Sequence, residues 1–405
     1  MNRPADDGTL EARGLGGLWR PSRRYLPLII AVALLALSVA IRLANRTVIT
    51  TDLDFHILPW YAKLQKFGPV VGLGKDFYNY TPPYLYLLAL ATLTSKIMAP
   101  VTAVKLISTA FDLYCAYMIY RIVRLKHSDG YVPVLAAAAF FAAPTIVANS
   151  GIWGQADSTY TSFLLTSLYL LLVDRPLPAI LFFGIALAFK PQAIFLAPFL
   201  LLMILWKRIP WWSLATIPVV YVFLMWPAVL FGRTWTEVLT IYADQADSGK
   251  GFTHNAANLY VFVPKVGFDR WIGPIVLMAI AVAVAWVVLT WRKGAPNGRA
   301  GLLLLALVSV ELVPFVLPNM HDRYFYLADT ISIVLAFMMP DIWFIALLFQ
   351  VVSGLSYSIY LYSASPDNLV LAAAINVVTL AALLVRQFAV DGGARRPGKS
   401  KAAAR

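Results

Sequence analysis

Residues 25–44 read YLPLIIAVALLALSVAIRLA, an apolar run interrupted only by the charge of Arg42. At about 1.5 Å per helical residue, such a run covers the roughly 30 Å of a hydrocarbon core. It is long for a signal-peptide core and no convincing small-residue cleavage site follows, so it is expected to remain as a first span. Arg23 and Arg24 stand immediately before it, as basic residues stand on the cytoplasmic side of a span.

The rest of the chain has the same character. Of 405 residues, 60% are hydrophobic and 13% charged, whereas soluble domains carry about a quarter charged. That much apolar surface cannot hide in one globular core, which excludes a soluble multidomain protein and a disordered one alike. The expected fold is all-α, a polytopic membrane protein of about 11–13 transmembrane helices. The net charge of +13 gathers at Arg3 to Arg24 and Arg395 to Arg405, so it marks topology and does not point to nucleic acid. Segments 1–24 and 388–405 are expected to be cytoplasmic, enclosing a transmembrane domain over 25–387. The single cysteine, Cys115, leaves no disulfide framework or thiolate metal site.

Further basic clusters recur at Arg121, Arg124 and Lys126, at Lys207 and Arg208, at Arg292, Lys293 and Arg299, and at Arg386. If all are cytoplasmic, parity forbids 82–98 from crossing. It becomes a juxtamembrane helix on the outer side, beside an amphipathic one over 54–67. Segments 178–189 and 191–206 become separate short helices, broken at Lys190-Pro191-Gln192, where proline removes a helix hydrogen bond. External loops 45–81, 150–158, 231–270 and 318–325 then share one face with that break. Nearly every unusual polar residue falls there.

Asp52 and Asp54 follow the first span, two positions apart, suited to a general base or to a divalent metal pair. Asp54 also reads as the N-cap of the helix that follows. Tyr80 lies in an aromatic stretch that ends in Pro82-Pro83. Trp153, Gln155 and Asp157 combine a stacking face, an amide and an acid, as sugar binding requires, while Asp157-Ser158 also fits a helix cap. Lys190, with Gln192 beside it, is a cation at membrane depth, where a functional reading with an anionic partner is the default. His321, Asp322, Arg323 and Tyr324 form a dense loop whose arginine can fork a phosphate. His254 sits in the long loop 231–270. Two acids lie deep in spans: Asp112, on one helix face with Lys105, and Glu311. No P-loop, dinucleotide fingerprint or zinc ligand set occurs.

With these pieces in place, the chain resembles the GT-C superfamily of membrane glycosyltransferases. It looks similar to bacterial mannosyltransferases related to the eukaryotic GPI mannosyltransferase II family. The resemblance rests on Asp52 through Trp60-Tyr61, Asn79 to Tyr86, Trp153 to Ser158, Lys190 to Ala193 and Asn319 to Phe325, in that order. It implies a first external loop that carries two juxtamembrane helices and a catalytic acid. It also implies a polyprenyl-phosphate sugar donor used on the non-cytoplasmic side, with inversion at the anomeric carbon. Asp52 is then the first choice for the base and Asp54 the second. Lys190, His321 and Arg323 would hold the donor phosphate. Trp153, Gln155, Asp157, Tyr80, Gln192, Asp322, Tyr324 and His254 would meet the sugar or acceptor. Family members often carry glutamate where Asp322 stands. The acceptor would be a glycan, lipid or protein hydroxyl. No cofactor is assured, although Asp52 and Asp54 could hold a divalent ion. The alanine- and arginine-rich ends fit a high-GC bacterium, which would place the chain in an inner membrane with its site facing the periplasm or exterior. The rival reading is a lipid-linked sugar flippase or secondary transporter, but no internal repeat supports it.

Overall fold

The computed structural model describes residues 25–248, 251–264 and 267–389. The expected basic N-terminus and the tail from 390 onward lie outside the described residues.

Proline opens many of the helices, since its missing N–H is one that a helix start leaves unpaired in any case. α1 (Leu26–Ala44) leads to a π-helical turn, Leu53–Ile57, and then to α2 (Leu58–Phe67) and α3 (Pro82–Thr92). α4 (Pro100–Arg124) runs back to the basic end, and α5 (Val132–Phe141) returns from it. α5 is followed at a 44° bend by α6 (Pro144–Ile146) and a second π-helical turn, Val147–Trp153. Next come α7 (Asp157–Leu172), α8 (Pro176–Phe189), a 3-10 stretch Pro191–Leu196, α9 (Ala197–Leu205), α10 (Thr216–Leu230) and α11 (Trp235–Ser248). After the two-residue strand β1 (Thr253–His254) stand α12 (Phe268–Lys293) and α13 (Gly298–Val316). Strand β2 (Met320–His321) pairs in parallel with β1, His254 opposite His321. The chain closes with α14 (Tyr326–Met338), α15 (Phe344–Tyr362) and α16 (Asp367–Ala389).

The architecture is all-α and multi-pass, as the apolar runs predict. Among the described residues, seven helices are long and apolar enough to cross a membrane, eight if the bent pair is one span. The shorter α7, α8, Pro191–Leu205 and α14 account for the larger number expected from the sequence. α13 is the buried mast, with 83% of its apolar window inside the protein, whereas α12 has only 17% and offers its sides to lipid. The basic clusters meet at one end. There Arg299 donates to the carbonyls of Leu125 and Leu172, Lys126 to that of Met338, and Arg386 pairs with Asp341.

At the opposite end a separate small core joins the first π-turn, α2, α3 and the start of α4, through Leu53, Trp60, Leu64, Leu85, Leu88 and Val104. The expected helix over 82–98 is shorter than its apolar run. It stops at Thr92, where the hydroxyls of Thr92 and Thr94 take the carbonyls of Ala89 and Ala91 and turns complete the segment.

Candidate active site

Three breaks in regular helix deliver the site. The π-turn Val147–Trp153 ends at Gly154, whose φ of +77° reverses the chain. A Cβ at Gly154 would meet the Leu53 side chain at 3.0 Å, so glycine serves both the left-handed turn and the close approach. Lys190 leaves α8 in an extended conformation because Pro191 excludes helical geometry from the residue before it. The short β1–β2 pair aligns the loop after α13 with the loop after α11. π-helical turns recur at functional sites, and here one carries Trp153 while the other follows Asp52.

Asp52 is the centre of the arrangement. Its Oδ2 accepts from Trp153 Nε1 at 3.0 Å and Gln155 Nε2 at 2.6 Å, and Arg323 Nη1 stands 3.5 Å away. The Asp52 backbone N–H donates to the Tyr360 hydroxyl at 2.8 Å. Its side chain keeps 26% exposure. Indole and amide both donate to Oδ2, and the Tyr360 hydroxyl also interacts with the carboxylate.

Trp153 does not offer a sugar-stacking face. It is 1% exposed. Tyr360 stacks on it at 4.5 Å, Tyr357 meets it edge-on, and Arg323 lies 5.5 Å over the ring. Its work is to hold Asp52, and Gln155 shares that task. Asp157 is fully buried and spends its carboxylate inward, on Lys190 Nζ at 2.7 Å, Asn149 Nδ2 at 2.9 Å and Arg323 Nε at 3.8 Å. It forms no side-chain helix cap. Asp54 lies exposed on its π-turn, away from these partners, and caps no helix.

Beside this network is a cavity of roughly 130 Å³ lined by Tyr80, Lys190, Gln192, His321, Arg323 and Tyr324, together with Asn79 and Gln245. The Arg323 Nε and Gln192 Oε1 atoms are buried there with no hydrogen-bond partner among the described residues. Orphaned polar atoms of both signs at a cavity wall call for a polar ligand. Lys190 also lies 5.4 Å over the Tyr80 ring. His254 stacks on His321 with ring centroids 4.7 Å apart, and its Nε2 donates to Asn319 Oδ1, 2.7 Å away.

The charges follow from burial. Burial, the largest single effect, would depress the Lys190 ammonium, but Asp157 and Tyr80 together outweigh it and hold the group above its ordinary value. Burial, joined by Arg323, His254 and Lys190, lowers His321 to about 3, so its imidazole is neutral and acts as a hydrogen-bonding group. Burial pushes Asp322 up to about 7, Asp52 and Asp157 adding to the effect against Arg323. Folding therefore favours protonated Asp322, whose ordinary value is 3.8. Stability falls as pH rises from about 4 to about 7, and the full penalty stands above that window. Asp322→Asn removes it. The variant is expected to gain about 3–5 °C in thermal midpoint at pH 8 and only about 1 °C at pH 4.5, read by unfolding in detergent.

Residues 78–318 match the family model of glycosyltransferase family 87. The chain belongs to glycosyltransferase family 87. It is thus a membrane glycosyltransferase of the GT-C type, and the flippase or transporter reading yields to that assignment. No curated protein matches it. The family-87 match contains Tyr80, Trp153, Gln155, Asp157, Lys190, Gln192 and His254. It begins after Asp52 and Asp54 and ends before His321, Asp322, Arg323 and Tyr324. The fold joins these outer pieces to the matched ones.

Sequence reasoning missed Tyr360 and Asn149. Tyr360 sits in Tyr357-Ser358-Ile359-Tyr360-Leu361-Tyr362, which reads as an interfacial aromatic belt and gives no catalytic signal. Asn149 ends an apolar run one residue before the loop that was singled out, so an isolated amide at that boundary was the available clue.

Proposed function

We propose that the protein is an inverting glycosyltransferase that moves mannose from a polyprenyl-phosphate donor to an acceptor hydroxyl on the non-cytoplasmic side. The observation that carries this reading is the contact between Arg323 and Asp52 at the edge of a cavity that also holds Lys190. A base and two fixed cations stand together, as single displacement of a phosphate leaving group requires.

In this mechanism the Asp52 carboxylate takes the proton of the acceptor hydroxyl as the hydroxyl oxygen attacks the anomeric carbon. The bond from that carbon to the phosphate oxygen breaks, and the new charge meets Arg323 and Lys190. Neutral His321 donates a hydrogen bond to the same group. Gln192 Oε1 accepts from a sugar hydroxyl, and Tyr80, Tyr324, Asp322 and His254 border the sugar and acceptor. Asp157, locked in its ion pairs, is no rival nucleophile, which supports a single displacement with inversion. The site lies at the end of the helices opposite the basic clusters, which supports a periplasmic or exterior-facing site in a bacterial inner membrane. Mannose rests on the resemblance of the motifs, and the acceptor is a glycan, lipid or protein hydroxyl.

Asp52 Oδ2 accepts from two N–H donors and faces the Arg323 guanidinium, a poor setting for a divalent cation, and Asp54 stands apart from it. Among the described residues no three His, Cys, Asp or Glu side chains converge. We therefore expect transfer from radiolabelled polyprenyl-phosphate mannose by purified protein to be unchanged by EDTA. Loss of transfer that Mg²⁺ restores would put a metal in the mechanism. Consumption of another lipid-linked sugar in place of this donor would replace mannose and keep the chemistry.

A further inference from the structure

We propose that Arg42 and Asp112, a charge pair deep in the helical bundle, are positioning residues for the base Asp52. The proposal rests on the reading of Asp52 given above.

The starting point is the break after α5. Pro144 has no N–H, and the Thr145 N–H is taken by Gln350 Oε1. The Phe141 carbonyl, which the next turn of helix would have satisfied, is therefore left over. Ser38 and Arg42 of α1 supply it, at 2.6 and 2.9 Å. Arg42 also pairs with Asp112 of α4 at 2.7 Å, with side chains 8% and 0% exposed. Lys105, which shares a helix face with Asp112, turns away to the carbonyls of Asn45 and Val48. Asp112 takes two further donors, the Ser150 hydroxyl and, at 3.1 Å, the Tyr326 hydroxyl.

Ser150 belongs to the π-turn that ends in Trp153. Its neighbour Gly151 packs on the Arg42 stem so closely that a Cβ would lie 2.8 Å from Cγ. One turn along α4, Ser108 donates to the Gln155 carbonyl at 2.6 Å. Thr50, two residues before the base, donates to the Trp153 carbonyl at 3.0 Å. The backbone on both sides of Trp153 is thus pinned to α1 and α4, and Trp153 and Gln155 are the two side chains that donate to Asp52.

A charge pair removed from water contributes little net stability against apolar side chains of the same volume. Its value here is the direction in which it fixes a helix break. A misplacement near 1 Å at such a site costs on the order of a hundredfold in rate.

The test compares Asp112→Asn with Ser150→Ala, the second of which leaves the Arg42–Asp112 pair in place and so spares the fold. Full-length protein is labelled with 5-fluorotryptophan, and the Trp153 line is assigned by its loss in Trp153→Phe. We expect the Trp153 line to move in both variants. The kcat per folded protein should fall about tenfold in Ser150→Ala and about a hundredfold in Asp112→Asn, with donor KM within about twofold. An unmoved Trp153 line together with unchanged kcat would reduce the pair to a bundle contact. A moved line in a protein whose Asp52→Asn variant still turns over supports the positioning and overturns only the reading of Asp52 as base.

Discussion

Asp52→Asn is expected to lower kcat by about a thousandfold while the donor still binds, since a positioned base contributes on the order of 10² to 10⁴. The substitution is close to isosteric. The asparagine carbonyl can still accept from Trp153 and Gln155, which donate to Oδ2 at 3.0 and 2.6 Å. What disappears is the oxygen that takes the acceptor's proton, together with the negative charge that Arg323 faces at 3.5 Å. The loss should therefore fall on turnover and spare donor affinity. Asp54→Asn is the internal control. Asp54 is exposed and outside the network, so its turnover should stay within about twofold of wild type. A dead Asp54→Asn beside an active Asp52→Asn would exchange the two roles. The readouts are single-turnover transfer and donor binding on the same preparations.

The parts of this site that were legible in the sequence are those whose signal is local. A lysine before a proline at membrane depth must leave the helix and must be paired, and Lys190 does both. The expected grouping of polar loops on one face rests on charge parity alone. Partners and directions were not legible. Trp153 reads as a stacking platform in a linear sequence, because nothing local says that Tyr360, some two hundred residues later, covers one face and Arg323 the other. Asp157 reads as a sugar contact for the same reason, until Lys190, Asn149 and Arg323 converge on it. Both π-turns were invisible as well. An inserted residue in an apolar helix leaves composition and periodicity almost unchanged, yet it decides where Trp153 points. The fold class needed only composition, whereas the roles within the site needed the tertiary structure.

Arg323 and Lys190 look interchangeable as phosphate cations, but substitution should separate them. Arg323→Gln is expected to cut kcat by about 10² to 10³, the usual cost of losing one preorganised donor to a developing anion. Its Nη1 faces Asp52 at 3.5 Å and its Nε faces Asp157 at 3.8 Å, while a guanidinium carries five N–H donors and this one also lines the cavity. It therefore has donor capacity left for an incoming phosphate. Arg323→Lys should recover little, because one ammonium cannot hold a carboxylate and a phosphate in the same fork. Lys190 differs because its partner is fully buried. Asp157 accepts from Lys190 at 2.7 Å, and Lys190→Gln leaves that carboxylate with a single cation at ion-pair distance. Breaking a buried pair in this way costs about 3–5 kcal/mol. Lys190→Gln should thus appear mainly as lost folded protein and a lowered thermal midpoint, whereas Arg323→Gln, which keeps the 2.7 Å Lys190–Asp157 pair, should lose less stability and fail at transfer. If Arg323→Gln instead turned over at the wild-type rate, the leaving group would have to be stabilised elsewhere, and the cavity beside it would not be the donor phosphate site.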